Sequence, residues 1–331
     1  MRNKKFLRSK KAFFFTLTVI FLITLLLLIS YSYRRDYSKD SIKTRLLAGN
    51  NFIDSVENDA KRAIYISGQR TVLAILDRVT TKGYIEDSVN FSDVFADAFI
   101  NGSLEYSLNY SEASKLLENA TLADWESETV IRSSLAGFNL TFSNFGNADV
   151  VVGQSTPWAI DMNVTFDYIL RDVQINATWN RHVVILGKIS ILGLEDPLYS
   201  RQLGKDITNT IHRTPYTGFV TGSCDATNLT GHIDVQGVAN QTGSYYFASV
   251  NSSNYLNKLR GNYSAHDAAG IESIINAANL DQQIANSSLV DHSYFEGIAT
   301  DLVGVSGTYS WLKMTRCEAN QTYQIPGNCL I

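Results

Sequence analysis

The feature that most constrains this chain is an uncharged apolar stretch close to its N-terminus. It runs from Ala12 to Tyr33, AFFFTLTVIFLITLLLLISYSY, over 22 positions. A helix of that length spans roughly 33 Å, enough to cross the hydrocarbon core of a bilayer. Inside lipid, a helix also satisfies its own backbone hydrogen bonds. The sequence therefore predicts a transmembrane helix over residues 12–33.

A cleaved secretory signal is the alternative interpretation of this stretch. The apolar region of such a signal normally covers about 7–15 residues and ends at a small-residue cleavage site. Here the run is longer and ends in Ser-Tyr-Ser-Tyr-Arg-Arg, so that Tyr31 and Tyr33 stand where membrane helices carry interfacial aromatic residues. A permanent anchor is the preferred prediction.

The distribution of charge indicates the direction of the crossing. Residues 1–11 hold six of the 28 basic residues and no acidic residue, which favours a cytoplasmic N-terminus. The rest of the chain has 22 basic and 32 acidic residues, a net charge of -10. Because a surface that acidic repels phosphate backbones, nucleic acid is not an expected partner.

N-glycosylation sequons support the same orientation. Asn-x-Ser/Thr occurs at 13 of the 26 asparagines, well above what the Ser and Thr content predicts, and always after the apolar helix. Such a surplus indicates glycan acceptors on an extracytoplasmic surface. The alternative is an Asn/Ser/Thr-rich surface that carries no glycans, which also leaves this part outside the cytoplasm. The candidates are Asn90, Asn101, Asn109, Asn119, Asn139, Asn163, Asn176, Asn228, Asn240, Asn251, Asn262, Asn286 and Asn320.

Three cysteines follow the apolar helix, so one is left unpaired or joined to another chain. A disulfide between Cys317 and Cys329 would close a short terminal loop, and Cys224 is an equally open partner. No Cys or His spacing matches a metal site, so no metal or cofactor is expected.

Helical periodicity continues beyond the membrane segment. Apolar and small residues recur at spacings of three and four, and no proline interrupts the chain before Val79. We therefore predict one continuous helix, membrane segment and stalk together, ending near Thr81. The narrow seam would let a neighbouring helix approach closely; its members are Leu46, Gly49, Ile53, Val56, Ala60 and Ala63.

The pattern then predicts an α+β fold, with a long N-terminal transmembrane-plus-stalk helix, an antiparallel β-meander and a mixed C-terminal part. Alternating residues from Phe138 onward indicate strands with one solvated face. Short helices are expected at Tyr255–Leu259 and Ile271–Leu280, and a strand at Gly307–Met314. The predicted segments are a basic cytoplasmic tail (1–11), the transmembrane helix (12–33), the helical stalk (34–85), a helical segment (86–137), the β-meander (138–195) and an extracytoplasmic α+β region (196–331).

No catalytic, cofactor-binding or metal-ligating residue is predicted. The five histidines lack metal-site spacing, and His182 is interpreted as a surface or packing residue of a strand. Asp291-His292 is interpreted as a solvated loop, and Glu195-Asp196, before a proline, as a turn. Ser306 lies in Gly-Val-Ser-Gly, which differs from the nucleophile elbow of hydrolases. The chain is therefore not expected to be an enzyme.

The N-terminus resembles that of type IV pilin-like proteins, through its basic residues, Lys-Lys-Ala and Phe-Phe-Phe-Thr-Leu-Thr-Val opening an apolar helix. More specifically, the chain is similar to uncharacterised archaeal pilin-like surface proteins. That likeness rests on segments such as Ser190–Tyr199, Leu259-Arg-Gly-Asn-Tyr, Gly270-Ile-Glu-Ser and Asp291-His-Ser-Tyr-Phe295. The resemblance implies a long helix packed on an antiparallel sheet, contacts with other pilin-like subunits through the stalk, and a processing site after Lys11 or Ala12.

The chain departs from that family in one functional position. Pilins carry an acidic residue a few positions into the apolar run, where this chain has Leu17. The expectation is thus a minor or pilin-derived surface protein with a structural or assembly role. The alternatives are a tethered extracellular binding or adhesion module and, less favoured, a surface hydrolase.

Overall fold

The protein has a mixed α+β architecture with antiparallel sheets and one long N-terminal helix. The computed structural model describes residues 3–85, 90–104, 113–143, 146, 149–203, 208–234, 244–264, 266–276, 287–307 and 310–331. The α+β class expected from the sequence is therefore confirmed.

Helix α1 covers Asn3–Lys82, 80 residues, without interruption. It ends at Gly83, whose φ of 126° is a conformation that favours glycine. The prediction of one helix ending near Thr81 is confirmed. Within α1, Phe15–Ser32 has a mean hydropathy of 2.3 and no buried residue. This segment is compatible with a membrane anchor or with a signal sequence.

Three shorter helices follow, in the region predicted to be helical: α2 (Phe91–Asn101), α3 (Ala113–Leu117) and α4 (Leu122–Leu135). The side chain of Asn90 accepts a hydrogen bond from the Ser92 amide and caps α2, which ends at Gly102. Before α4, Thr121 and Asp124 exchange side-chain-to-backbone hydrogen bonds in a reciprocal capping arrangement.

The main sheet contains β1 (Phe138–Ser143), β2 (Val150–Thr156), β3 (Ala159–Asp172) and β4 (Ala177–Ser190). Strand β3 pairs with all three others, and it is antiparallel to β2 from Val150↔Val164 to Thr156↔Ala159. The strand positions match the prediction, but the four-strand meander order is wrong because β1 pairs with β3. Strand β3 extends eight residues beyond Val164, the last of its residues that pairs with β2. The backbone of those eight residues can pair with another strand.

The chain divides into two compact units, and the first comprises residues 1–58, 130–141 and 168–181. Here the Nε atom of Arg45 lies 2.7 Å from Asp172 Oδ2, and its guanidinium lies 5.0 Å from the Phe138 ring centre. The Arg45 hydrogen bond lowers the pKa of Asp172. A Cβ added to Gly49 would lie 2.5 Å from the Trp179 ring, so only glycine permits this approach.

The second unit comprises residues 59–129, 142–167 and 182–331. In it, the indole of Trp125 donates a hydrogen bond to Asp59 and packs against Phe142 and Phe166. A Cβ on Gly68 would lie 2.8 Å from atoms of Met162 and Ile189. Close packing of α1 against strand residues thus occurs inside this unit as well.

These contacts change the interpretation of the small-residue seam. Gly49, Ile53, Val56 and Ala60 are buried within the chain, whereas Ala63 is half-buried and Leu46 is exposed. At Gly49 the seam lies against the chain's own Trp179, which fills the space that the sequence assigned to a neighbouring helix.

The C-terminal part is built from short elements around an apolar core. Its helices are α5 (Pro197–Gln202), α6 (Thr227–Ile233), α7 (Tyr255–Leu259) and α8 (Asp291–Glu296). Its strands are β5 (Phe247–Ala248), β6 (Ile271–Glu272), β7 (Leu302–Gly304) and β8 (Lys313–Thr315), paired β5–β6 and β7–β8. A π-helical turn at Glu318–Thr322 and a 3₁₀ turn at Gly327–Cys329 follow.

Two element predictions in this part need correction, while the predicted helix Tyr255–Leu259 is confirmed as α7. The helix expected from Ile271 begins instead as strand β6, because its backbone pairs with β5; residues 277–280 lie outside the described part. The strand expected at Gly307–Met314 starts only at Lys313, and residues 308 and 309 lie outside the described part.

The disulfide joins Cys224 to Cys329, with a Cα–Cα distance of 5.4 Å, so the Cys317–Cys329 pairing is wrong. Strand β7 explains why: Gly304 pairs with Lys313 of β8 and also exchanges backbone hydrogen bonds with Ile331. The C-terminal segment and β8 therefore flank β7 on opposite edges. Cys317, two residues after the end of β8, is exposed and free.

Candidate functional site

The sequon asparagines lie at or near the surface wherever the structure describes them. Asn163 and Asn251 are half-buried, and Asn109, Asn240 and Asn286 lie outside the described residues. A glycan acceptor must be accessible, so these positions fit the predicted modification, which stays a prediction. The exposed asparagines are Asn90, Asn101, Asn119, Asn139, Asn176, Asn228, Asn262 and Asn320.

The most unusual chemistry of the second unit is a buried lysine between two aspartates. Lys258 Nζ lies 2.8 Å from Asp196 Oδ2 and 2.8 Å from Asp291 Oδ2, and all three side chains are fully buried. Ionised groups with no solvent contact are rare because desolvation costs several kcal/mol per ion. We call these three residues the Lys258 triad.

Local structure places each member of the triad. Asp196 is the N-cap of α5, and its Oδ1 accepts a hydrogen bond from the Leu198 amide at 2.9 Å. Lys258 lies on α7, whose cap Asn254 accepts from the Asn257 amide. Asp291 is the first residue of α8, and its Oδ1 accepts from the His292 amide at 2.7 Å.

Hydroxyl and amide groups complete the hydrogen bonds of the triad. Tyr246 donates to Asp196 Oδ2 at 2.9 Å and accepts from Asn209 Nδ2 at 2.9 Å. Ser273 donates to Asp291 Oδ2 at 3.1 Å and lies 2.7 Å from the hydroxyl of Tyr199. Burial raises the pKa of both tyrosines well above the ordinary value, so the phenols stay protonated and can donate.

A second group of ionisable side chains adjoins the triad through Asp291. His292 Nδ1 lies 3.7 Å from Glu272 Oε2, and Nε2 lies 3.7 Å from Glu318 Oε1. Glu318 accepts hydrogen bonds from the hydroxyls of Ser288 and Ser293 and from the Thr315 amide. These distances from His292 are too long for direct hydrogen bonds, so its contacts with the acids are electrostatic.

Burial and charge act in opposite directions on these groups. Burial works to raise the pKa of Asp291, but the Lys258 charge prevails and lowers it to about 2. Burial works to lower the pKa of Lys258, yet the charges of Asp196 and Asp291 raise it. For Glu272 burial prevails and raises the pKa to about 7. For His292 burial is outweighed by Asp291 and Glu272, and the pKa rises.

The structure corrects two sequence-based interpretations here. Asp196 and Asp291 were assigned to a turn and a solvated loop, but both are fully buried and begin helices. Both lie in segments quoted for the resemblance: Asp196 in Ser190–Tyr199, and Asp291 at the start of Asp291–Phe295. Glu272 lies in the segment that begins at Gly270, and Lys258 directly precedes the segment that begins at Leu259. The scattered segments therefore meet around one polar network.

The remaining histidines do not join this network. His182 is exposed and lies 2.6 Å from Asp167 Oδ1, in agreement with the surface interpretation. His232 is buried, which lowers its pKa to about 3, and its Nδ1 lies 3.0 Å from the Thr214 hydroxyl. Ser306 lies in a bend, as expected.

Within the described part of the chain, each ionisable side chain of this network is at most 6% exposed. A cavity of about 540 Å³ lies beside β7, and among the residues that line it only Lys313 has an ionisable side chain. Across the ranges that the structure describes, no His, Cys, Asp or Glu group is arranged to hold a metal ion.

Comparisons with known proteins give no identification. No protein-family model matches the chain, and no curated protein or solved structure matches it.

The elevated pKa of Glu272 predicts a stability that depends on pH. Because its folded pKa of about 7 exceeds the unfolded value of 4.5, the contribution of this group is most favourable below pH 4.5 and is lost as the pH rises to about 7. Glu272→Gln removes this titration. The variant is expected to be more stable than wild type at pH 8 by up to about 3 kcal/mol, with little difference at pH 4.5.

Urea unfolding at both pH values, followed by tryptophan fluorescence, measures this effect. Glu296→Gln, at the exposed end of α8, is the matched control and should show no such pH-dependent gain. A Glu272→Gln variant that is less stable than wild type at pH 8 would contradict the argument.

Proposed function

We propose that the chain is a single-pass membrane protein with a cytoplasmic N-terminus and an extracytoplasmic C-terminal region. In this proposal it is a pilin-like surface protein with a structural or assembly role in a cell-surface appendage or a secretion-type system. The lipid bilayer and other pilin-like subunits are its proposed partners.

The continuity of α1 is the observation that carries the proposal. Its Phe15–Ser32 segment leaves residues such as Phe15, Phe21 and Leu27 more than 60% exposed. Burying each of these side chains in lipid would contribute about 1.5–3 kcal/mol. Farther along the same helix, Gly49 and Gly68 approach strand residues within their respective units. In type IV pilin-like proteins, the first part of the N-terminal helix lies in the membrane and its later turns pack on a sheet.

The accessible sequons support the extracytoplasmic assignment. The described acceptor asparagines are distributed over helices, strands and turns after α1's apolar segment, and none of them is buried. The Cys224–Cys329 disulfide has the same implication, because such bonds persist in oxidising compartments.

Subunit contacts are assigned to the outward face of α1. The seam residues Gly49, Val56 and Ala60 are buried within the chain, so they are not available to a neighbour. By contrast, Leu47 is 54% exposed and Tyr65 is 45% exposed. We therefore assign association with similar helices to these exposed positions.

Cysteine crosslinking in native membranes tests the assembly role. In a Cys317→Ser background, Tyr65→Cys and Leu47→Cys are expected to give crosslinked oligomers with a bismaleimide. Ala60→Cys, at a fully buried position, is the matched control and should not crosslink. If neither exposed position crosslinks more than the Ala60→Cys control, the proposed assembly role is wrong.

A further inference from the structure

The Lys258 triad contains the two groups from which an amide bond is made, an amine and a carboxyl group, with a second carboxyl group beside them. An amine nitrogen lies 2.8 Å from oxygen atoms of two carboxyl groups, and water has no access to any of the three side chains. We propose that Lys258 and Asp196 form an intramolecular amide bond, with Asp291 transferring the protons. The proposal is independent of the function proposed above.

The charge balance of the triad favours such a reaction. Two carboxylates face one ammonium group, all with zero solvent exposure, so one negative charge lacks a matching ammonium within the triad. Buried ions carry a desolvation penalty that pairing repays only in part. Condensing one ammonium with one carboxylate replaces two buried charges by a neutral amide and leaves Asp291 as the remaining anion.

The hydrogen bonds of Asp196 suit the role of electrophile. Its Oδ1 accepts from the Leu198 amide and its Oδ2 accepts from the Tyr246 hydroxyl, both at 2.9 Å. Donors fixed on both oxygens stabilise the negative charge that develops when an amine attacks the carboxyl carbon. The Tyr246 ring, whose centre lies 5.5 Å from Nζ, helps to close the site.

Asp291 suits the role of proton carrier. Its Oδ2 lies 2.8 Å from Nζ, and its Oδ1 is held by the His292 amide at 2.7 Å. A carboxylate in hydrogen-bond contact with the attacking nitrogen can take a proton from it and return that proton to the leaving group. The low pKa of Asp291 keeps its carboxyl group ionised before it accepts a proton and after it has returned that proton.

The reaction balances without any external reagent. Lys258 first transfers a proton to Asp196, giving a neutral amine and a neutral carboxylic acid. The nitrogen lone pair then forms a bond to the Asp196 carboxyl carbon, and its surplus proton passes to Asp291. Asp291 returns that proton to the departing hydroxyl group, which leaves as water while the carbonyl re-forms. The products are one amide and one water, and Asp291 is again a carboxylate.

The fixed positions of the reacting groups and the exclusion of water favour formation of the amide bond. Holding amine and carboxyl in contact replaces a bimolecular encounter and can be equivalent to very high effective concentrations. The bond would join the N-cap of α5 to α7 across 62 positions of the chain. Together with the Cys224–Cys329 disulfide, it would give this region two covalent cross-links.

Mass spectrometry of the full chain tests the proposal. The protein is produced in a host without N-glycosylation, purified in detergent and shown to be folded by cooperative urea unfolding. Its intact mass is expected to be lower than that of the sequence, corrected for the disulfide, by one water. Fragmentation of a digest should yield a branched peptide that joins Lys258 to Asp196.

Three variants identify the atoms involved. Lys258→Met should lack both the water loss and the branched peptide. Asp196→Asn should still form the bond but lose ammonia instead of water, because the leaving group has changed. Asp291→Asn keeps the side-chain shape without the proton acceptor and should slow or abolish the bond in a folded protein.

Other outcomes overturn the proposal. A folded wild-type chain with its full mass would show that the triad is an ion pair only. Water loss found in a linear peptide would indicate a succinimide elsewhere, and a branch from Lys258 to Asp291 would show that the partner is misassigned.

Discussion

Replacing Lys258 with methionine is expected to destabilise the second unit by about 3–5 kcal/mol, the largest effect predicted for any single substitution here. The substitution keeps most of the apolar stem of the side chain but removes the charge that compensates Asp196 and Asp291, both fully buried. Two unpaired carboxylates then repel each other without access to water. In a chain whose Lys258 and Asp196 are joined by the proposed amide bond, the substitution removes that cross-link and restores a second buried carboxylate, so the expected effect has the same direction.

Urea unfolding of the full chain in detergent at pH 7 measures this effect. The matched control is Lys188→Met, because Lys188 is 66% exposed and lies 3.5 Å from Asp161. Pairs of that kind contribute at most about 1 kcal/mol. Adding Asp196→Asn and Asp291→Asn to Lys258→Met should recover part of the lost stability. Equal midpoints for Lys258→Met and Lys188→Met would contradict the assigned role of the triad.

Replacing Cys329 with serine is expected to cost about 2–5 kcal/mol, the second large effect. The Cys224–Cys329 bond links positions that are 105 residues apart, so its removal greatly increases the freedom of the unfolded chain. Cys329 is also fully buried, and serine would place a hydroxyl in the core.

Cys317→Ser is the matched control for this prediction. Cys317 is exposed and unpaired, so its replacement should change the free energy of unfolding by less than about 0.5 kcal/mol. Peptide mapping without reduction should recover Cys224 joined to Cys329. A map that joins Cys317 to Cys329, with Cys317→Ser as the costly variant, would contradict the Cys224–Cys329 pairing.

Local patterns were sufficient to predict the long N-terminal helix and the positions of the four strands in the main sheet. Helix α1 follows from uninterrupted helical periodicity between the apolar segment and Gly83, and strand β3 follows from alternation at Val164, Phe166 and Tyr168. Both signals come from neighbouring residues. The order of strands does not, because the pairing of β1 with β3 depends on the length of β3 left free by β2.

The Lys258 triad could not be found from local patterns. Lys258 is 62 residues from Asp196 and 33 residues from Asp291, and each aspartate lies at the start of a short helix, in a context that is typical of caps and turns. Each of the four short segments quoted for the resemblance contains or adjoins an ionisable residue of the network. Their convergence is a property of the tertiary fold.

Disulfide pairing was ambiguous for a similar reason. Spacing along the chain left Cys317 and Cys224 equally open as partners of Cys329. In the fold, β7 lies between the C-terminal segment and β8 and keeps Cys317 away from Cys329. The small-residue seam is buried at Gly49, Ile53, Val56 and Ala60 but not at Leu46, and a sequence pattern does not show whether such a face meets another chain or the chain's own strands.

We propose that the apolar part of α1 is a permanent membrane crossing and that the rest of the chain lies outside the cytoplasm. Cys317 provides a natural probe, because it is exposed and unpaired. A membrane-impermeant maleimide applied to intact cells is expected to label the full-length chain, and the labelled chain should stay in the membrane after alkaline extraction. The Cys317→Ser variant should remain unlabelled. Labelling that requires cell lysis, or a labelled chain released by alkaline extraction, would contradict the claim.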